Sequence, residues 1–247
     1  MPFIVCKIPM ESVQDTAGIE AAMKEHRFGS DDIVAIVAKT EGNGGVNDMS
    51  RILVDRVLRD FLATKGSRNR AQALQVPIAL SGGCDGVISP HMNVFARIPD
   101  SAVSAASKNE LRLTVGVTVS EKILPEEIGR LPMVEKVAAG VRRAMADAGI
   151  TDPADVHFVQ TKTPLLTSER IAAAKSRGKT CVMTDTMESM AVSNATAALG
   201  IGVGVGEFPL PRPEQIAHDL SLYSSVASCS SGVEQDEAQI VLVGNRR

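Results

Sequence analysis

Tryptophan is absent from this 247-residue chain, tyrosine occurs once, and aromatic residues together make up 3%. Nucleic-acid binders stack bases on aromatic rings and lay a basic stripe along the phosphates. Here 26 basic residues stand against 29 acidic ones, a net charge of −3, so no nucleic-acid partner is expected. No apolar run approaches the roughly 20 residues needed to cross a bilayer, and Met1-Pro-Phe-Ile-Val-Cys-Lys has neither the charged leader nor the apolar region of a signal peptide. No membrane partner and a soluble, cytoplasmic protein are expected. Cysteine is scarce too. Cys6, Cys84, Cys181 and Cys229 are far apart, and His26, His91, His157 and His218 are equally scattered. Zinc sites need ligands at short spacing, so the cysteines read as reduced, small hydrophobes, and no metal or other cofactor is expected. What is present is 44% hydrophobic residues with 22% charged, enough for one large domain or two small ones.

Strand and helix patterns alternate, and the sequence runs through that plan twice. Residues 2–8 read as a strand, Gly18–His26 as a short helix, and 32–38 as a buried strand ending at Lys39. In the next helix Leu53, Val54, Val57, Leu58, Phe61 and Leu62 share one face, and Asp55, Arg56, Arg59 and Asp60 share the other. A strand at Val76–Leu80, a turn at Ser81-Gly-Gly-Cys-Asp-Gly and a strand at Asn93–Ile98 follow, and the polar segment Pro99–Glu110 reads as a linker. The plan then restarts with an alternating strand over 111–119, a helix opened by Pro132 and closed by Gly149, and a strand Val156–Thr161 leading into Lys162. Helices near Glu188–Leu199 and Pro213–Val226, a turn at Ser228-Cys-Ser-Ser-Gly and a strand at Gln239–Val243 complete it.

Three anchors recur in the same order. Lys39-Thr40 matches Lys162-Thr163, Ser50-Arg51 matches Ser193-Asn194, and Ser81-Gly82-Gly83 matches Ser230-Ser231-Gly232. Shared order makes a duplicated unit credible, with repeats over 1–103 and 104–247. Lys39 and Ser81 are 42 positions apart and Lys162 and Ser230 are 68, so the second repeat carries an insertion.

A lysine at a strand end and a serine in a small-residue turn are the parts of a Ser–Lys nucleophilic pair. A serine hydroxyl needs a neighbouring base, and lysine serves if burial or nearby cations leave it neutral. Glycine beside the serine lets backbone N–H groups approach a developing oxyanion. Each element alone also has a plainer reading, as a solvated strand end or a simple turn. Gly200-Ile-Gly-Val-Gly-Val-Gly imitates a nucleotide-binding glycine run, but it reads as a strand packed closely on a neighbour, outside any strand-to-helix turn. Glu41-Gly-Asn-Gly-Gly lacks the Lys-Ser/Thr ending of a P-loop. Asp185 and Glu188 read as capping acids at a helix start.

The stretches AIVAKTEGNGGVND, ALSGGCDGVISPH, LPEEIGR, VHFVQTKTPLLTSERI, TDTMESM and LYSSVASCSSGVE strongly resemble the cyanuric acid hydrolase and barbiturase family of ring-opening amidohydrolases, from Met1 to about Asn245. The resemblance implies an α+β fold, each repeat a small, mostly antiparallel sheet with helices on one face. It implies an active site built by three repeats around a pseudo-threefold axis, each giving one Lys and one Ser. By similarity Lys162 is the base and Ser230 the nucleophile, while Lys39, Arg51, Ser81, Gly82, Asn194 and Ser231 bind the substrate, a small cyclic imide or ureide. The ring is opened by C–N cleavage, giving carboxybiuret and then biuret from cyanuric acid, or a ureidomalonate from barbituric acid. Asn194 departs from the family's arginine and offers neither its charge nor its fork. Only two of the three repeats lie in these 247 residues. The third, with its Lys–Ser pair, its arginine and the family's structural-metal residues, is expected from a partner subunit, or its place is taken in a homo-oligomer. The alternative is a non-catalytic scaffold subunit or relic.

Overall fold

Each half of the chain builds the same four-stranded sheet. The computed structural model describes residues 2–26, 28–84, 88–98 and 110–246. In the first half β1 (Phe3–Pro9), β2 (Ile33–Lys39), β3 (Ile78–Ser81) and β4 (His91–Arg97) lie in the order β1-β4-β2-β3. In the second, β5 (Arg112–Lys122), β6 (Val156–Pro164), β7 (Ala227–Gly232) and β8 (Glu237–Arg246) lie in the order β5-β8-β6-β7. In both sheets the fourth strand pairs antiparallel with the first and second, and the third runs parallel to the second. The register even slips at matching places, between Ile33 and Ala35 and between Val156 and Phe158. These are two mixed, mostly antiparallel sheets with helices, an α+β fold with two repeat-like halves. The expected repeat boundary at 103/104, and all of the linker but Glu110, lie outside the described residues.

The strands alternate because each sheet has two apolar neighbours. Ile33, Ile36 and Ala38 of β2 pack under α1 (Ala17–His26) and α2 (Met49–Thr64), and Val159, Ile240 and Leu242 pack under α4 (Leu131–Ala148) and α6 (Thr186–Val205). The opposite faces meet, with Ala35, Val115 and Val241 closing a small core flanked by Val37, Phe95, Val117 and Val243. Gly149 ends α4 in the left-handed conformation at φ 69°, a backbone shape that only glycine adopts at little cost. Among the described residues no helix is long and apolar enough to cross a membrane.

Several local expectations are corrected. The glycine run is helical: α6 continues to Val205. A side chain at Gly200 would stand 2.6 Å from Val137 Cβ, and one at Gly204 would stand 2.7 Å from Val141 Cβ, so the two glycines let α6 lie against α4. The close packing is as read, but it joins helix to helix. Residues 213–226 form no α-helix. Only Pro213–Gln215 makes a single 3₁₀ turn; Ala217 then turns to φ 62°, and the Asp219 carboxylate captures Ser221 N–H and Oγ. Local capture of backbone donors by Asp competes with helix formation. Ser228–Gly232 is the parallel strand β7, held by β6 on one side. Arg59 belongs to the interior: it donates to the carbonyls of Ala73 and Val76 at the end of the short α3 (Arg70–Leu74) and pairs with Asp55 at 3.4 Å, while Leu53 is exposed. The insertion of the second repeat contains α5 (Ser168–Ser176) and the loop after α6.

Gly200→Ala sets two terms against each other. Alanine gains about 1 kcal/mol of helix propensity, whereas overpacking a tight interface costs about 1–3 kcal/mol. The Val137 contact involves a Cβ that cannot swing away, so overpacking wins. Thermal unfolding is expected at a lower midpoint, and an unchanged or raised midpoint would contradict the close approach of α4 and α6.

Candidate active site

Residues opposite each other in paired strands point to the same face. In the parallel pairs Lys39 stands opposite Ser81, and Lys162 stands opposite Ser230. Both pairs lie at the carboxyl ends of their strands, on the faces through which the sheets meet. Lys39 Nζ donates to the Gly82 carbonyl and lies 3.4 Å from Ser81 Oγ. Lys162 Nζ donates in the same way to the Ser231 carbonyl at 3.0 Å. The residue after each lysine turns to the helix side and pins the strand end there: Thr40 Oγ1 bonds Ser50 Oγ at 2.8 Å, and Thr163 Oγ1 bonds Ser193 Oγ at 2.9 Å. The next helical residue is then Arg51 in one half and Asn194 in the other.

The eight residues expected at the site therefore fall into two similar sets. Lys162 and Ser230 pair in the second half, where Ser231 is buried with its carbonyl taken by Lys162 and its Oγ donating to Met190 O. Lys39, Ser81 and Gly82 form the matching set. A side chain at Gly82 would overlap the Asp48 carboxylate, which explains the glycine. Arg51 is buried, and its Nη2 donates to Gly45 O at 2.6 Å. Asn194 is half-buried, and its Oδ1 is enclosed without a hydrogen-bond partner.

The two sets differ in electrostatics. Lys162 is wholly buried, whereas Lys39 is half-buried. Burial, helped by the nearby Arg51 cation, brings the Lys162 amine down to about 8 against the opposing pull of Glu234 and Asp48. Glu234 Oε1 lies 3.3 Å from Lys162 Nζ, and Glu234 Oε2 lies 3.9 Å from Arg51 Nε. This carboxylate spans the seam between the halves. Burial alone would raise the Asp48 carboxyl, but Ser50 Oγ, the Gly44 and Ser50 N–H groups and Arg51 together hold it below the usual carboxylate range. Glu234 and Asp48 escaped the sequence reading. Both end recognisable strings, SSGVE and GNGGVND, but only the fold shows that they are buried beside the lysines. A nearby cavity of about 830 Å³ is lined by Asn47, Lys122, Thr167, Arg170 and Val233, and by none of the four Lys and Ser residues.

Residues 4–247 match the family model described as amidohydrolase ring-opening protein. The chain belongs to this ring-opening amidohydrolase family. It is 57% identical over 246 residues to barbiturase 2 of Nocardioides sp., covering 100% of this chain and 66% of that protein. It is 42% identical to the cyanuric acid amidohydrolase of Pseudomonas sp. strain ADP, covering 97% of this chain and 66% of that protein. A solved cyanuric acid hydrolase superposes with a TM-score of 0.93 at 41% identity, covering 99% of this chain and 68% of the other. The chain thus spans about two thirds of the length of the curated relatives it matches.

Within this member of the family, Asp48 caps α2 by accepting from Ser50 N and also accepts from Gly44 N and Ser50 Oγ. Asp48→Ala removes a cap and leaves buried donors unmet, at a cost of about 1–3 kcal/mol. Urea unfolding is expected to show that loss at neutral pH. Because the folded Asp48 holds its proton less tightly than an unfolded aspartate, the difference from wild type is fully present above the ordinary carboxylate range. It shrinks as pH falls through the lowered native value.

Proposed function

We propose that the chain forms two of three repeats of a ring-opening cyclic amide hydrolase, with Lys162 and Ser230 as its reacting pair. Ser230 Oγ attacks a ring carbonyl while neutral Lys162 takes the hydroxyl proton. The C–N bond breaks, the leaving nitrogen takes up a proton, and the opened ring is held as an ester on Ser230. Water then attacks the ester, restoring the serine and releasing the acid. Lys39, Arg51, Ser81, Gly82, Asn194 and Ser231 form the binding frame around the ring. The observation that carries this assignment is the fully buried Lys162 in parallel register with Ser230. Lys39 shares its register with Ser81 but remains partly exposed to solvent, which suits binding better than proton abstraction.

Barbituric acid is our first substrate to test and cyanuric acid the second, an order supported by the 57% and 54% identity to proteins named barbiturase. Asn194 withdraws one charged fork from the frame and leaves an amide oxygen without a partner. A third repeat, carried by a partner chain or supplied by another copy, would cover the inner sheet faces. Val5, Leu113 and Phe158 point from those faces and remain 43%, 53% and 40% exposed, and apolar strips of this kind mark contact surfaces.

The test is hydrolysis of barbituric and cyanuric acids by the purified chain. Ser230→Ala is expected to lose about three orders of magnitude or more in kcat. Because Lys162 must be neutral, kcat/KM should rise with pH through about 8 and then level. A flat profile across that range, or full activity in Ser230→Ala, would overturn the assignment. Absence of turnover that persists when a third-repeat protein is supplied favours the scaffold reading.

A further inference from the structure

Glu234 is the residue at this site that neither the recurring anchors nor the binding frame accounts for. Its side chain is 3% exposed, and neither carboxylate oxygen has a hydrogen-bond partner. Such a group costs free energy unless a charge answers it, and the charges that answer it come from both halves. Lys162 Nζ lies 3.3 Å from one oxygen and Arg51 Nε 3.9 Å from the other. Arg51 Nε has no hydrogen-bond partner either. The backbone makes room for this arrangement, since a side chain at Gly232 would fall on the Glu234 oxygens.

We propose that Glu234 is the positioning residue of the Lys162–Ser230 pair, holding the lysine amine in place from across the seam and setting the pH at which it gives up its proton. An ammonium has three N–H positions. Ser231 O takes one and the Glu234 carboxylate draws the amine electrostatically from a second side, so one direction is left for exchange with the serine. Among the described residues, the hydrogen-bond partners of Lys39 are Gly82 O and Ser81 Oγ, both neutral. The charged groups acting on Lys162 are Glu234 from the turn after β7, and Arg51 and Asp48 from the start of α2. Asp55, one turn along α2, is raised mainly by burial and further by Glu234, against the pull of Arg59. The catalytic consequence rests on the proposed role of Lys162, but the electrostatic one does not.

The experiment is an NMR titration of Lys162 in the full chain carrying ¹³C-labelled lysine, with the signal assigned by its loss in Lys162→Arg. Removing an opposite charge a few ångströms away lowers an amine's titration by about one pH unit or more. Glu234→Gln is expected to show that drop. Gly232→Ala should show it too, because it displaces the carboxylate without changing any charge, and it decides the matter if Glu234→Gln does not fold. In an active enzyme the rising limb of kcat/KM should move to lower pH in both variants while the plateau falls. A titration that coincides with wild type in a folded variant would overturn the proposal. If the titration moves but the wild type hydrolyses neither ring even with a third-repeat protein supplied, the Glu234 assignment stands and the proposed function fails.

Discussion

Parallel pairing of the second and third strands is the constraint on which the rest of this molecule depends. In an otherwise antiparallel sheet, one parallel pair brings together two carboxyl ends that are distant in sequence. It does so twice, setting Lys39 beside Ser81 and Lys162 beside Ser230. A parallel connection needs a long crossover. The helices that make these crossovers supply the next groups, because Ser50 and Ser193 pin the strand ends and deliver Arg51 and Asn194. Backbone pairing, crossover and polar site are one device used in duplicate.

Duplication does not make the two copies equivalent. Lys162 is sealed from solvent and faces a carboxylate, and Lys39 is partly exposed, with neutral hydrogen-bond partners among the described residues. Burial destabilises a charged amine by far more than a surface position does. The second copy is therefore suited to moving a proton and the first to holding a ring. Glu234 reaches Arg51 across the seam, so the behaviour of the second lysine depends on how the first half sits against it.

Much of this was legible in the residues. Period-two apolar strands, the Pro132 and Gly149 punctuation and the recurring Lys-Thr and Ser-Gly anchors gave the order of elements and the residues at the strand ends. What was not legible came from tertiary packing. Gly200 to Gly204 alternate with branched residues and so imitate a strand, and only the fit against Val137 and Val141 makes them a helix surface. Ser228 to Gly232 carry turn-forming residues, yet pairing with β6 extends them. Arg59 sits on a polar helix face by sequence, yet the carbonyls of Ala73 and Val76 draw it inside. Glu234 could not be found from spacing, since its meaning lies in a contact with the other half.

The central claim is that Ser230, activated by Lys162, carries the opened ring as an ester. Mass spectrometry of acid-quenched protein after brief mixing with barbituric acid tests it directly. The expected result is a peptide containing Ser230 that has gained the mass of the substrate, with no such gain in Lys162→Met. A gain on Ser81 instead, or hydrolysis that proceeds with every serine unmodified at all mixing times, would contradict the account.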